Sequence, residues 1–556
     1  MGLTSLLLER GLITQDQLER AQSARTSPNE TVERILVQMG MVDERDLIAI
    51  QGEQLSIPCA DLSKITVDRD LLKSVPSKIV HRYQLFPIDR KNGTMRVATS
   101  NPFDLYAFDE LRMLTGCKIE PVLATESDIK RVIKEHYGVG GQTVEEMIGI
   151  DELEVVSEVD EQNVDALEAA QEATVVKLVN EILVEAIRDR ASDVHIEPYE
   201  HDLRVRYRVD GVLHTTQLPP QIRRFQNAIV SRIKILANLN IAEKRLPQDG
   251  GFKIRTQGRD IDLRVSIIPT PFGEAVVLRI LDKQSVLLNL ADLGMGETIY
   301  DRFAELIAMP HGIVLVTGPT GSGKTTTLYS ALNTINNEDI KILTVEDPIE
   351  YYLEGINQVQ TKAAIGLDFA AGLRAFLRHD PDVILVGEIR DRETAEVAIN
   401  ASLTGHLVFS TLHTNDACGA ATRLLDMGVE SFLVSSSLEG VLAQRLVRRI
   451  CPNCREPIEP DPAKLPPDFQ LADGEKLYRG AGCRKCRDTG YKGRQGIFEL
   501  LTVNDEIREI VVRRGTSGEI AQAARQAGMI TMREDGWDKV RAGVTTVEEV
   551  LRVAKF

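Results

Sequence analysis

The pattern of apolar and polar positions repeats itself at the start of the chain. LTSLLLERGLITQDQLERAQ (3–22) and VERILVQMGMVDERDLIAIQ (32–51) align at a 29-residue offset, pairing Leu7 with Leu36, Gly11 with Gly40, Leu18 with Leu47 and Gln22 with Gln51. In each copy a helical apolar pattern ends at a glycine, as a C-cap does, and Thr14 or Asp43 then stands where an N-cap belongs. The pattern predicts a duplicated helical hairpin. Apolar runs around Phe86 and Val97, separated by Asn92-Gly93, make 55–137 a small α/β unit, and together 1–137 is expected to form one N-terminal domain.

Further on, ATVVKLVNEILVEAIRDR carries apolar residues three and four apart and predicts a helix. Alternating stretches (LRVRYRV ending at Asp210-Gly211, then FKIRT, IDLRVSII and AVVLRIL) predict strands, so 173–283 is expected to be a second α/β domain. After a linker at 284–297, four short apolar runs at 313–316, 342–345, 383–386 and 407–410 are separated by helical patterns. That order predicts a parallel sheet between helical layers. Residues 498–556, with EIREIVVRR and VEEVLRVAKF, are expected to form C-terminal helices.

Composition changes this picture in two places. With 556 residues, 43% of them apolar, the chain can build about three or four cores. Its net charge of −17 argues against a broad nucleic-acid surface. Between Glu135 and Val176, however, twelve acidic residues and no Lys or Arg occur, among them Glu145, Glu146, Asp151, Glu152 and Asp160. We therefore expect 138–172 to be an acidic flexible linker, in which Met147, Ile148 and Ile150 leave room for a short partner-binding helix. No apolar run approaches the ~18 residues needed to cross a bilayer, and MGLTSLLLERG lacks a basic n-region, so a cytoplasmic protein is expected.

The candidate chemistry lies at strand ends. GIVLVTGPTGSGKTTTL (312–328) places Gly318, Pro319, Thr320, Gly321, Ser322, Gly323, Lys324 and Thr325 in the G-x-x-x-x-G-K-[ST] phosphate-loop pattern, followed by Thr326. Glycines let backbone N–H groups close on a phosphate, Lys324 reaches the β- and γ-phosphates, and Thr325 offers a hydroxyl to Mg²⁺. Ligands in parallel sheets bind beyond the carboxyl ends of strands. Those ends also carry Glu346 and Glu350, then Glu388, then His413. Glu388 directly follows an apolar strand and is the candidate for Mg²⁺ coordination or water polarisation, while Glu346 and Glu350 compete for the role of general base. Spacing does not separate these two.

Two C-x-x-C pairs, Cys451/Cys454 and Cys483/Cys486, can place four thiolates round one structural Zn²⁺ in a knuckle at 448–495. Redox dithiols are the other reading. Cys59, Cys117 and Cys418 read as small core residues. Arg204, Arg206 and Arg208 share one strand face, which is either a solvated sheet face or a row of cations aimed at phosphate or a neighbouring subunit.

The matching segments are GPTGSGKTTTLY at 318–329, TVEDPIE at 344–350, DVILVGEIRD at 382–391 and TGHLVFSTLHT at 404–414, preceded by SDVHIEP, RYRVDGVL and IAEKRLPQDG. Over essentially its whole length the chain resembles the hexameric secretion ATPases that drive assembly of type IV pili and type II secretion pseudopili. The resemblance implies an α/β chain with a RecA-like P-loop motor at 298–556, a preceding PAS-like domain, an N-terminal helical domain and a zinc-binding insert. It implies ATP, Mg²⁺ and Zn²⁺ as cofactors. By position it makes Glu350 the residue that activates the attacking water and Glu388 the acidic residue near Mg²⁺. His406 and His413 fall in the histidine box, with His413 sensing the γ-phosphate, and Arg208 or a neighbour closes on the nucleotide.

Retraction members lack the four cysteines, which places this chain with the assembly and secretion branch. The implied partners are five further copies in a homohexamer and an inner-membrane platform protein, giving a cytoplasmic protein held peripherally at that membrane, with no nucleic acid. In members that bind cyclic di-GMP the N-terminal repeats open with Arg-Leu-Gly; here Gly2-Leu3-Thr4 and Thr31-Val32-Glu33 stand instead. That departure favours platform docking over the messenger. A nucleotide-gated docking scaffold and a DNA-translocating ATPase are the other functional readings.

Overall fold

The computed structural model describes residues 3–23, 32–62, 65, 71–72, 74–137, 161–216, 218, 220–256, 259–282, 289–460, 465–471 and 474–554. The acidic stretch 138–160, the linker residues 284–288, the loop residues 461–464, and Gly2 and Thr31 lie outside them. The chain divides into two compact units, 1–281 and 282–556.

In the first unit the repeats form helices Leu3–Glu9, Gln15–Ser23, Val32–Gln38 and Glu44–Leu55. Gly11 and Gly40 turn with φ of 67° and 69°, Thr14 Oγ1 accepts from Gln17 N, and Asp43 accepts from Arg45 N. The capping residues thus place both turns, and Leu7 and Leu36 are both fully buried in the resulting core. Next, strands β1 (Leu85–Lys91), β2 (Thr94–Thr99) and β3 (Lys118–Leu123) form one sheet, with β1 and β2 joined through Asn92-Gly93, both at positive φ. Cys117 and Cys418 are buried, as read, but Cys59 is exposed.

A helix then spans Glu161–Arg188. Residues 161–172 are therefore helical, a correction to the flexible-linker reading. Ala166, Ala169, Ala170, Leu167, Glu168 and Gln171 are strong helix formers, and like charge alone does not unfold such a run. Its later turns bury Leu178, Val179, Ile182 and Ala186 against a six-stranded sheet of β4 (Asp193–Pro198), β5 (Leu203–Val209), β6 (Val212–Thr216), β7 (Gln248–Thr256), β8 (Arg259–Thr270) and β9 (Gly273–Asp282), ordered β6-β5-β4-β9-β8-β7.

The second unit is built on a seven-stranded sheet. Its strands are β10 (Gly312–Thr317), β11 (Ile342–Glu346), β12 (Asn357–Gln360), β13 (Val383–Val386), β14 (Leu407–Leu412), β15 (Leu438–Ile450) and, beyond a small hairpin of β16 (Arg455–Ile458) and β17 (Leu477–Gly480), β18 (Tyr491–Thr502). The order is β12-β11-β13-β14-β10-β15-β18, parallel except for the antiparallel pair β15/β18. On β10, Ile313 and Leu315 enter one core while Val314 and Val316 enter the other, so period-two alternation of an all-apolar strand feeds both faces of a three-layer motor. Residues 498–502, expected to begin the C-terminal helices, instead complete β18; four helices follow, from Asp505–Val512 to Val547–Val553.

Candidate functional site

Parallel pairing puts the ends of β10, β11, β13 and β14 along one edge of the sheet, and the loops after them carry the site. Thr317, the last residue of β10, pairs with Leu412, the last of β14. The phosphate loop starts at Gly318 and ends where the helix Lys324–Ile335 opens. Gly318, Gly321 and Gly323 adopt φ of 149°, 78° and 93°. A Cβ on Gly318 would stand 2.6 Å from Gln444 O, and one on Gly323 would stand 2.7 Å from Gln444 Nε2. β15 thus lies directly against the loop at both glycines, leaving no room there for a side chain.

Several observations fit a phosphate there. The hydroxyl of Ser322 is buried and has no partner. Lys324 Nζ donates to the loop's own carbonyls, Gly318 O at 2.7 Å and Pro319 O at 3.2 Å. Burial pushes its ammonium pKa down, Glu388 opposes this, and the charge of Arg445 adds to it. A triphosphate in the loop would reverse that penalty by supplying counter-charge. Pro319, Thr320 and Gly321 form the exposed tip, while Thr325 and Thr326 are half-buried on the first helical turn.

The acidic set divides into groups with different surroundings. Glu346 is buried, accepting from Thr344 Oγ1 at 2.7 Å, from Gln358 Nε2 at 3.1 Å and from the Tyr329 hydroxyl. Tyr329 in turn meets the ring of Tyr351 edge-on at 4.6 Å. Glu346 thus ties the phosphate-loop helix to the end of β11. Glu350, four residues on, is half-buried in the following loop. Glu388 stands two residues past β13, paired with Arg390 and 3.3 Å from His413 Nε2. Burial raises its carboxyl pKa, but the hydrogen bond and charge of Arg390, joined by His413, outweigh burial and hold it below the ordinary carboxylate range. Thr325 and Glu388 are thus oxygen donors of the type Mg²⁺ takes.

The histidine box is split. His413 follows β14 at the phosphate-loop edge, but His406 precedes β14, with Nδ1 2.8 Å from Ala401 O. The six residues of β14 put about 20 Å between them, so His406 is not brought to the nucleotide edge. Arg208 lies in the first unit, where Asp193 pairs with it at 3.4 Å and Gly211 O accepts from it. Arg206 is forked onto Glu197, and Arg204 donates through Nε to Asp202 at 3.0 Å. The row of cations on β5 is neutralised within its own domain.

Sequence reading missed Tyr329, Arg390, Gln444 and Arg445. Gln444 accepts from the buried Thr327 hydroxyl at 2.7 Å, and Arg445 reaches the turn after His413. Arg390, two residues after Glu388, was findable from spacing. Gln444 and Arg445 were not, because their 120-residue distance from the loop is closed only by the β10/β15 pairing.

The four cysteines gather at the far end of the β15/β18 ribbon. Sγ of Cys451 is 3.8 Å from that of Cys483, Cys454 is 3.7 Å from Cys486, and all four sulfurs lie within 4.8 Å. Thiolates about 2.3 Å from a tetrahedral ion stand about 3.8 Å apart, so this donor set fits Zn²⁺ in a closed site. Gly480 and Gly490 approach too closely for any side chain between them. Among the described residues no helix is long and apolar enough to cross a membrane.

The type II/IV secretion system protein family matches residues 168–552, and the MshEN domain matches residues 55–143, starting after the duplicated hairpin. The type IV pilus assembly ATPase PilB of Myxococcus xanthus is 45% identical over 99% of this chain and 98% of its own length. The type II secretion system protein E of Xanthomonas campestris is 44% identical over 100% of this chain and 98% of its own. That of Pseudomonas aeruginosa is 52% identical over 81% of this chain and 90% of its own. With a complete phosphate loop, an acidic set at the same sheet edge and this extent of likeness, the chain belongs to the type II/IV secretion system protein family and is one of its ATPases.

Proposed function

We propose that this protein is a Mg²⁺-dependent ATPase that works as a ring of six and powers assembly of a type IV pilus or a type II secretion pseudopilus. The observation that carries the reading is the convergence of the phosphate loop, Glu388 and His413 on the ends of β10, β13 and β14. The likeness to PilB and to protein E supplies the machine. In this reading the loop 318–326, with Lys324 in it, holds the β- and γ-phosphates, while Thr325 and Glu388 would hold Mg²⁺, which would supply positive charge to the phosphoryl oxygens. Glu350 takes the proton of the attacking water, and His413 reports the γ-phosphate to Glu388. Arg208 or a neighbour on β5 leaves its carboxylate partner to meet the nucleotide. The four thiolates of Cys451, Cys454, Cys483 and Cys486 would hold a structural Zn²⁺.

The protein acts at the cytoplasmic side of the inner membrane through a platform protein. The missing Arg-Leu-Gly openings support docking by the N-terminal region over cyclic di-GMP binding. Steady-state phosphate release by the purified full chain tests the core of this reading: Lys324→Ala and Glu350→Ala are expected to abolish turnover. A Glu350→Ala protein that hydrolyses ATP at the parental rate would overturn the base assignment.

A further inference from the structure

Arg445 is a buried charge that the mechanism above does not use. It lies on β15 and is 8% exposed. Nη2 donates to Asn415 O at 2.9 Å and reaches Asn415 Oδ1 at 3.5 Å, while Nη1 donates to Gln444 O at 3.1 Å. Nη1 would stand 3.0 Å from a Cβ on Gly318. Asp416 and Glu499 act on this guanidinium only through space, and burial lowers its pKa. A buried cation held mainly by carbonyls is costly, and protein chains seldom keep one without a task.

The fork packs against one segment of the nucleotide site and donates to another. On one side is the first glycine of the phosphate loop. On the other is Asn415, two residues past His413, which itself meets Glu388. A second tie joins the same two segments: Thr414 N donates to Thr317 Oγ1 at 2.9 Å, and the two threonine hydroxyls lie 2.7 Å apart. We propose that Arg445 is a positioning residue of the nucleotide site, its planar fork joining β15 at Gln444 O to the turn after His413 while its Nη1 packs beneath Gly318 of the phosphate loop. The inference rests on the ATPase reading. Lysine keeps the charge but cannot present two donors in a fixed plane, so Arg445→Lys separates geometry from charge.

The test is phosphate release and Mg²⁺–ATP titration calorimetry on the full chain as parent, Arg445→Lys and Arg445→Gln, with nucleotide-free thermal unfolding recorded alongside. Arg445→Lys is expected to raise KM and lower kcat, each on the order of tenfold, because both the loop and His413 lose their register. The nucleotide-free melting point should change little. Parental KM and kcat in Arg445→Lys would overturn the proposal, and so would a lowered melting point with both constants intact. If Arg445→Gln fails to fold, Thr317→Val carries the second arm: combined with Arg445→Lys it should give a non-additive loss, and strict additivity counts against a shared role. A parent that releases no phosphate would sink the ATPase reading alone; the Arg445 assignment is then decided by whether Arg445→Lys weakens nucleotide binding tenfold in the calorimeter.

Discussion

His413 Nε2 lies 3.3 Å from Glu388 Oε2, although 25 residues separate them in the chain. Adjacent parallel strands, β13 and β14, end side by side and deliver both residues to the phosphate-loop edge. Replacing Glu388 by Gln keeps its shape and removes its charge. We expect kcat to fall by about 10²-fold or more, the scale for losing a charged oxygen donor to the metal, with nucleotide-free melting at neutral pH little changed. Phosphate release at the parental rate in Glu388→Gln would remove Glu388 from the chemistry.

The two histidines should behave differently. His413→Ala is expected to lower kcat, whereas His406→Ala should leave kcat and KM near parental values and cost about 0.5–1.5 kcal/mol of stability for its lost hydrogen bond. Kinetics and urea unfolding on the two variants check this. Equal kinetic damage from both would contradict the placement of His406 at the far end of β14.

Tyr329→Phe removes one of three donors to the buried carboxylate of Glu346. A buried acceptor left short costs about 1–3 kcal/mol, so chemical denaturation should show a loss of that size. Because Glu346 is engaged on all sides, its role is expected to be structural. Full turnover loss in Glu346→Gln with unchanged stability would return it to the list of bases.

Glu549 supplies a pH prediction with a definite sign. Its side chain is buried; burial raises its pKa, but hydrogen bonds from Arg552 and Arg448 dominate and hold it at about 2. A depressed carboxylate contributes stability that is present above its unfolded value near 4.5 and disappears as pH falls towards about 2. The contribution is on the order of 3 kcal/mol. The difference in unfolding free energy between parent and Glu549→Gln should therefore shrink between pH 5 and about pH 2. A pH-independent difference would rule out this linkage.

Zinc removal should reach the nucleotide site. β15 ends one residue before Cys451 and carries Gln444 and Arg445 beneath the phosphate loop. Structural zinc contributes about 10–16 kcal/mol apparent in small modules. Chelation or Cys483→Ser is expected to lower the melting point and weaken Mg²⁺–ATP binding together. Unchanged affinity in the zinc-free protein would show that the ribbon holds its shape without the metal.

How much of this was legible from the chain follows from how local each signal is. The phosphate loop, the caps at Thr14 and Asp43, the hairpin turns at Asn92-Gly93 and Asp210-Gly211, and the paired C-x-x-C spacings were readable because backbone sterics and short ligand bites act within a few residues. The apolar runs of β10, β11, β13 and β14 were readable because strands buried on both faces leave no polar alternation. β15 and β18 escaped: buried Gln444 and Arg445, and Gly493 and Gly496, break the apolar pattern, and the partners of those polar groups, the Thr327 hydroxyl and the Asn415 carbonyl, come from segments remote in the chain.

The sequence by itself determined the chemistry and the class of fold. Tertiary structure decided which like residues share the site, because strand direction and pairing act over distances that spacing does not encode. It separated His413 from His406, buried Glu346 in a tyrosine–glutamine network beside half-buried Glu350, paired the β5 arginines with their own carboxylates, and brought Arg445 to a loop more than a hundred residues earlier in the chain.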